Sequence, residues 1–293
     1  MNYQVTHTTA YTYKQAVSLC HNIARLIPRD TVNQVCKTVS VIISPQPDVV
    51  NEYLDFFGNK VMYFAVQEEH EKLTVTVSSE ITRHPHSKEL NENSNMPWEK
   101  IRQLVLLPSK DNFEARQFIA QTTMTAGNGS IEAFARQSFT DGRPVFEATL
   151  DLTKRIYAEF EFKPGFSTIA TPVDEIIEAR KGVCQDFAHL AIACLRSIGL
   201  PARYISGYIE TLPPPGVVKL TGVDASHAWF AIYIPGVGWL DFDPTNNQVP
   251  DLQHITIGWG RDYADIAPLK GVILSSGKHK LDVSVDVKRV TSL

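Results

Sequence analysis

The run KGVCQDFAHLAIACLRSIGLP, Lys181 to Pro201, constrains this chain more than any other stretch. Phe187, Leu190, Ala191, Cys194, Leu195 and Ile198 recur at helical spacing, and Gly199 followed by Pro201 stops the helix. Cys184 therefore falls in the first turn. Free backbone N–H groups and the positive end of the helix dipole lie there, and both favour thiolate over thiol. A cysteine so placed is a candidate nucleophile, and the rest of the chain reads as scaffold around it.

The segments that follow supply partners. ARYISGYIE alternates as a strand, TLPPPG reads as a rigid loop, and SHAWFAIYIPGVGWLDFDPT reads as a hairpin turned by PGVG. Ala228, Phe230, Ile232 and Ile234 form one apolar face, so His227 shares the other with Trp229, Ala231 and Tyr233. Asp241 and Asp243 share a face in the return strand. His227 and an aspartate meet on one face only if the loop has an odd number of residues or a bulge intervenes. His189 is nearer to Cys184 in sequence, but five residues along one helix rotate it by about 140° away. A buried packing role suits His189, and His227 is the better base.

Four cysteines are present, and their spacing decides their state. Cys184 and Cys194 would lie about 15 Å apart along one helix, beyond the ~7 Å reach of a disulfide. Cys20 and Cys36 lack zinc-ligand spacing and are expected as buried free thiols. His84 and His86 flank Pro85 without a carboxylate nearby and read as surface residues; His254 and His279 read as structural or surface residues. No metal or other cofactor is expected.

With 43% hydrophobic and 20% charged residues in 293, the chain has the composition of a globular protein. A net charge of -4 with scattered basic residues gives no footprint for nucleic acid. No apolar run approaches the roughly 18 residues of a membrane helix, and the start has no signal-peptide pattern, so the expected compartment is the cytoplasm. Residues 1–85 alternate as short strands and predict an N-terminal β domain. Residues 86–140 read as a linker and helical segment. Ser130 is the expected cap of one helix, and Phe146, Leu150, Tyr157 and Phe160 the shared face of another. A further helix is predicted from Pro172 to about Lys181. Residues 141–293 form the core around Cys184, with HKLDVSVDVKRV as a closing strand.

GVCQDFAHLAIACLRSIGLPARYISGY and SHAWFAIYIPGVGWLDFDPT resemble the cysteine, histidine and aspartate motifs of the transglutaminase-like superfamily. HTTAYTY, ARLIPRD and FGNKV resemble the β domain that precedes the core in its bacterial members, and GRDYADIAPLKG resembles their C-terminal segment. The resemblance implies an α+β fold, with an N-terminal β module, a helical connection and a papain-like transglutaminase core. It implies Cys184, His227 and Asp243 as a triad, and the Asp-Pro-Thr context selects Asp243 over Asp241. Ala231 departs from the pattern, since relatives often carry Glu there. Gln185, Asp186 and Trp229 are the candidates for a second oxyanion donor or for support of the triad. The expected chemistry is thiol-dependent hydrolysis of peptide or side-chain amides, as in a cysteine protease or amidase acting on a peptide or protein substrate. The alternatives are a protein-glutamine transglutaminase with an amine acceptor, and a silent peptide-binding scaffold.

Overall fold

The computed structural model of the chain describes residues 1–85, 92–211, 225–274 and 279–290. The expected proline-rich loop at 212–216 and His86 lie outside the described residues. The first strand, Asn2–Val17, alternates buried and less buried residues as its sequence demands, with Tyr3, Val5, His7 and Thr9 inward. It pairs antiparallel with His70–Arg83, which in turn pairs with Gln34–Ser44. A second sheet runs Leu269–Ile273, Cys20–Ala24, Lys60–Val66, Val49–Leu54. Val17, Leu26, Phe64, Leu73 and Val75 form the apolar core of this module.

Both sheets borrow a strand from the far end of the chain. His279–Val290 pairs along the free edge of the first strand, from Asn2↔Val290 to Tyr13↔His279, and Leu269–Ile273 pairs along Cys20–Ala24. The closing strand, drawn with residues 141–293 on chain order, thus lies in the first module. Uncovered edges would expose unpaired N–H and C=O groups, and the last two strands cover them.

The core is a four-stranded sheet in the order Gly238–Phe242, Ala225–Ile234, Ala202–Ile209, His254–Gly260, packed on helices. The helix Cys184–Ser197 is almost wholly buried against it. Residues 98–140 join the same core: Trp98, Ile101 and Val105 of one helix and Ile131 and Phe134 of another pack with Leu190 and Phe230. Asn128, not Ser130, caps the helix Gly129–Ser138, its Oδ1 accepting from Ser130 N at 2.8 Å. The helix Val145–Glu159 buries Val145, Ala148, Leu152 and Ile156; of the predicted face, Phe160 is buried and Phe146 packs against the core, whereas Leu150 and Tyr157 are exposed. Both stripes have helical spacing, and the core takes the second only at its ends and the first whole. Thr149 and Thr153 enter that stripe because their hydroxyls donate to Val145 O and Thr149 O one turn back. The helix Val173–Ala179 ends earlier than its sequence suggests, since Arg180 takes a left-handed conformation at φ 56°.

A shared apolar cluster joins the two modules. Tyr3, Val5, Val285 and Val287 pack on Tyr208, Ile255 and Ile257 of the core sheet. This contact brings the first strand to the edge of the site.

Candidate active site

Cys184 is the first residue of its helix, as the periodicity predicts. Val183 precedes it in extended conformation, and Asp186 folds back to accept its N–H at 2.8 Å. Ser167 Oγ donates to the same carboxylate. Burial pushes the Asp186 carboxyl up against the lowering effect of these bonds. A Cβ at position 182 would stand 2.9 Å from Asp186, so Gly182 is what leaves room for the returning side chain. Asp186 therefore holds the helix start that presents Cys184. The thiol is partly exposed, in a cavity of about 220 Å³ lined also by Gln185, Tyr204 and His227, and by His7 and Thr9 of the first strand.

The hairpin brings the other partners. Ile234 pairs with Gly238, which leaves three loop residues, Pro235, Gly236 and Val237. The odd count meets the parity condition: Phe230 faces Phe242, and the same register sets Asp243 across from Trp229, on the face of His227. His227 Nε2 lies 2.8 Å from Asp243 Oδ2, and both side chains are buried. Asp241 points elsewhere and accepts Trp229 Nε1–H at 3.1 Å. The Trp229 ring lies 5.9 Å from that of His227 at 33° and walls it. Gly207 makes this possible, since a Cβ there would meet the indole at 2.4 Å.

With Nε2 engaged by Asp243, Nδ1 is the imidazole nitrogen left free towards Cys184, which lines the same cavity. Burial alone would disfavour the imidazolium. The hydrogen bonds and charges of Asp243 and Cys184 outweigh it, and the His227 pKa is pushed up to about 10. Burial likewise works against the Asp243 carboxylate, but the bonds from His227 and His254 hold its pKa below the usual carboxylate range.

Two neighbours of Asp243 were not foreseen. His254, read as structural or surface, is 1% exposed and its Nε2 lies 2.9 Å from the same Oδ2. Its strand reaches Asp243 only through pairing with Ala202–Ile209, a contact with no local trace in LQHITIGW. Asn246 Nδ2 donates to Oδ2 at 2.7 Å, while the backbone N–H groups of Thr245 and Asn246 donate to Oδ1. That turn was legible in principle, because an aspartate commonly accepts from backbone two and three residues on. The donor atoms of His227, Asp243 and His254 lie within 4.8 Å of one another. Both Nε2 atoms lie within hydrogen-bond distance of the same carboxylate oxygen, Asp243 Oδ2.

His189 is buried away from this cluster and accepts Tyr263 N–H at Nε2, 3.1 Å; burial drives its pKa down to about 4. Cys194 is fully buried, its Sγ 3.7 Å from Ile131 O, and burial pushes its pKa up to about 12. All four cysteines are free, with Cys20 buried and Cys36 partly so.

Residues 3–82 match the bacterial transglutaminase-like N-terminal region, and residues 132–244 match the transglutaminase-like superfamily. An uncharacterized protein of Mycobacterium tuberculosis is 40% identical over 97% of this chain and 92% of its own length. The chain belongs to the transglutaminase-like superfamily. A superfamily-type β domain and core thus account for the two modules. A protein-glutamine gamma-glutamyltransferase of Pseudomonas aeruginosa is 32% identical over 43% of this chain and 19% of its own. A crystal structure from Cytophaga hutchinsonii, described as a putative cysteine protease, superposes with a TM-score of 0.77 at 24% identity. It covers 100% of this chain and 91% of that one, a likeness of fold.

Proposed function

We propose that this chain is a thiol-dependent acyl hydrolase, a cysteine protease or amidase acting on amides of a peptide or protein. The observation that carries the reading is the imidazole of His227, which lies 2.8 Å from the buried Asp243 carboxylate and lines one cavity with Cys184. A raised imidazole pKa and a thiol at a helix start favour the imidazolium–thiolate pair at neutral pH. The Cys184 thiolate attacks the amide carbonyl, and the Cys184 backbone N–H donates to the developing oxyanion. Gln185, beside Cys184 in the cavity, is the side chain proposed as second donor. His227 then gives its proton to the leaving amine, and an acyl-enzyme remains. Water activated by His227 releases the acid and restores the thiolate. Asp243 keeps the imidazole in one tautomer throughout, and His254, Asn246 and the turn backbone keep Asp243 ionised.

A second reading, aminolysis of the same acyl-enzyme by a lysine, is favoured by the partial likeness to the Pseudomonas aeruginosa gamma-glutamyltransferase. The test has two stages. Alkylation of Cys184 is followed against pH in the wild type and in His227→Ala. Persistence of the wild-type reaction well below neutral pH, lost in the variant, supports the ion pair. Identical profiles with an ordinary thiol pKa sink the thiol reading. Products from a glutamine-containing peptide, with and without an added primary amine, then separate acid from amide.

A further inference from the structure

A cavity of about 790 Å³ lies between the first module and the core sheet and shares no lining residue with the Cys184 cavity. Three arginines line it, Arg29 and Arg83 from the first module and Arg203 from the strand Ala202–Ile209, against the acids Asp241 and Glu114. Arg203 is 7% exposed. Its guanidinium carbon lies 3.8 Å from the ring centre of Trp259 and 4.3 Å from that of Trp239. Arg29 stacks on the same Trp259 ring at 3.3 Å, so two like charges share one indole.

Each of these cations keeps one nitrogen unsatisfied, although Arg29 donates to Phe57 O and Asn59 Oδ1 and Arg83 to Asn33 Oδ1 and Asp251 O. The Nε atoms of Arg29, Arg83 and Arg203 are all buried without a hydrogen-bond partner. The Arg203 guanidinium makes no hydrogen bond or ion pair among the described residues. Arg196 is a useful contrast, because it is equally buried yet donates to Phe118 O, Thr125 Oγ1, Ala202 O and Arg261 O. The register explains the deficit. Arg203 pairs with Ala231, and Ala231 pairs with Asp241. Two strand spacings, about 9.5 Å, therefore separate the guanidinium's strand from the aspartate's, with only a methyl group between. Asp241 is meanwhile committed to Trp229 Nε1. Asp241 acts on Arg203 through space without a direct ion pair, and a buried guanidinium so placed is costly, while its planar fork suits a carboxylate or phosphate. Phe56, Phe118 and Trp239 supply apolar walls, and the volume suits a small molecule.

We propose that this cavity binds a small molecule carrying a carboxylate or phosphate monoester on an apolar body, with Arg203 as the central anchor. The experiment titrates 3-phenylpropionate, phenyl phosphate and the neutral 3-phenylpropanamide into the full chain, read by calorimetry and tryptophan fluorescence. At least one anion should bind saturably and perturb the emission, with the amide at least about tenfold weaker. Which anion binds tells carboxylate from phosphate. Arg203→Met should weaken binding at least about tenfold, and Ala231→Glu, which sets a carboxylate opposite Arg203, should do the same. Equal binding of the amide overturns the proposal. So do no saturable binding of either anion at millimolar concentration, and wild-type affinity in folded Arg203→Met and Ala231→Glu. If a variant fails to fold, the anion-against-amide comparison on the wild type still decides.

Discussion

The first turn of the Cys184–Ser197 helix presents Cys184 to a cavity shared with the buried His227, whereas the body of the same helix buries Cys194 and His189 on separate faces. In the middle, burial governs both groups. Cys194 is kept as a thiol and His189 as neutral imidazole, with a backbone N–H as its partner. Beside the first turn His227 is buried to a similar degree, yet its pKa moves the other way, because Asp243 bonds its ring and the charges of Asp243 and Cys184 favour the imidazolium. Burial in a low-dielectric interior favours whichever form is neutral, and only a directly bonded counter-charge reverses that preference. Cys194 and His189 are thus packed neutral groups, while Cys184 and His227 form the candidate reactive pair.

The sharpest way to break it is to exchange the two cysteines' fates. Cys184→Ala should abolish turnover and labelling, a loss of about a thousandfold or more, whereas Cys194→Ala should leave the labelling rate unchanged and lower stability modestly. Labelling that follows Cys194 instead would overturn the assignment. The next largest effect concerns the histidines. An ordinary thiol near 8.5 is only about 0.3% thiolate at pH 6, so His227→Ala should slow alkylation there by roughly a hundredfold. His189→Gln should leave that rate nearly unchanged while unfolding at lower urea, and equal slowing by both would erase the distinction.

Stability against pH sharpens the contrast because the signs differ. The folded pKa of His227 is raised to about 10, so its contribution is fully present below the unfolded value near 6.5 and is lost as pH rises towards 10. His189 and His7 are depressed to about 4 by burial, so the unfolded chain binds more protons than the folded one between 6.5 and 4. Each of these two should remove about 1.4 kcal/mol per pH unit as pH falls through that window. Urea unfolding across the range should give a maximum near neutrality, and a flat acid limb would contradict the buried neutral state of both. The smallest effect is expected of His254→Phe. It removes one donor to Asp243 while keeping a ring against Trp229, and should slow alkylation at pH 6 by about fivefold. A loss as large as that of His227→Ala would instead make His254 a direct participant.

Much of this was legible because it is local. Helical spacing placed Cys184 at the first turn, and alternation placed His227 opposite Phe230, since both patterns depend on residues within one element. The three-residue loop then settled the parity that alternation left open. The buried stripe of the helix Val145–Glu159 was only half legible, at Phe146 and Phe160, because two apolar stripes were available and only the packed neighbours choose between them. His254 and the fate of Leu269–Ile273 and His279–Val290 were illegible for a related reason. Their partners lie far away in the chain, and nothing in a strand's own residues names the edge it will cover.

The sequence by itself determined the place of Cys184 at a helix start, the faces of the hairpin and the family of the two modules. Periodicity and motif spacing encode those features within short windows. Tertiary structure alone decided that His254 also rests on Asp243, and that Arg203 is buried beside a cavity without a bonded counter-charge. Those outcomes follow from strand order and register, where segments distant in sequence compete for the same edges and the best mutual burial selects among them.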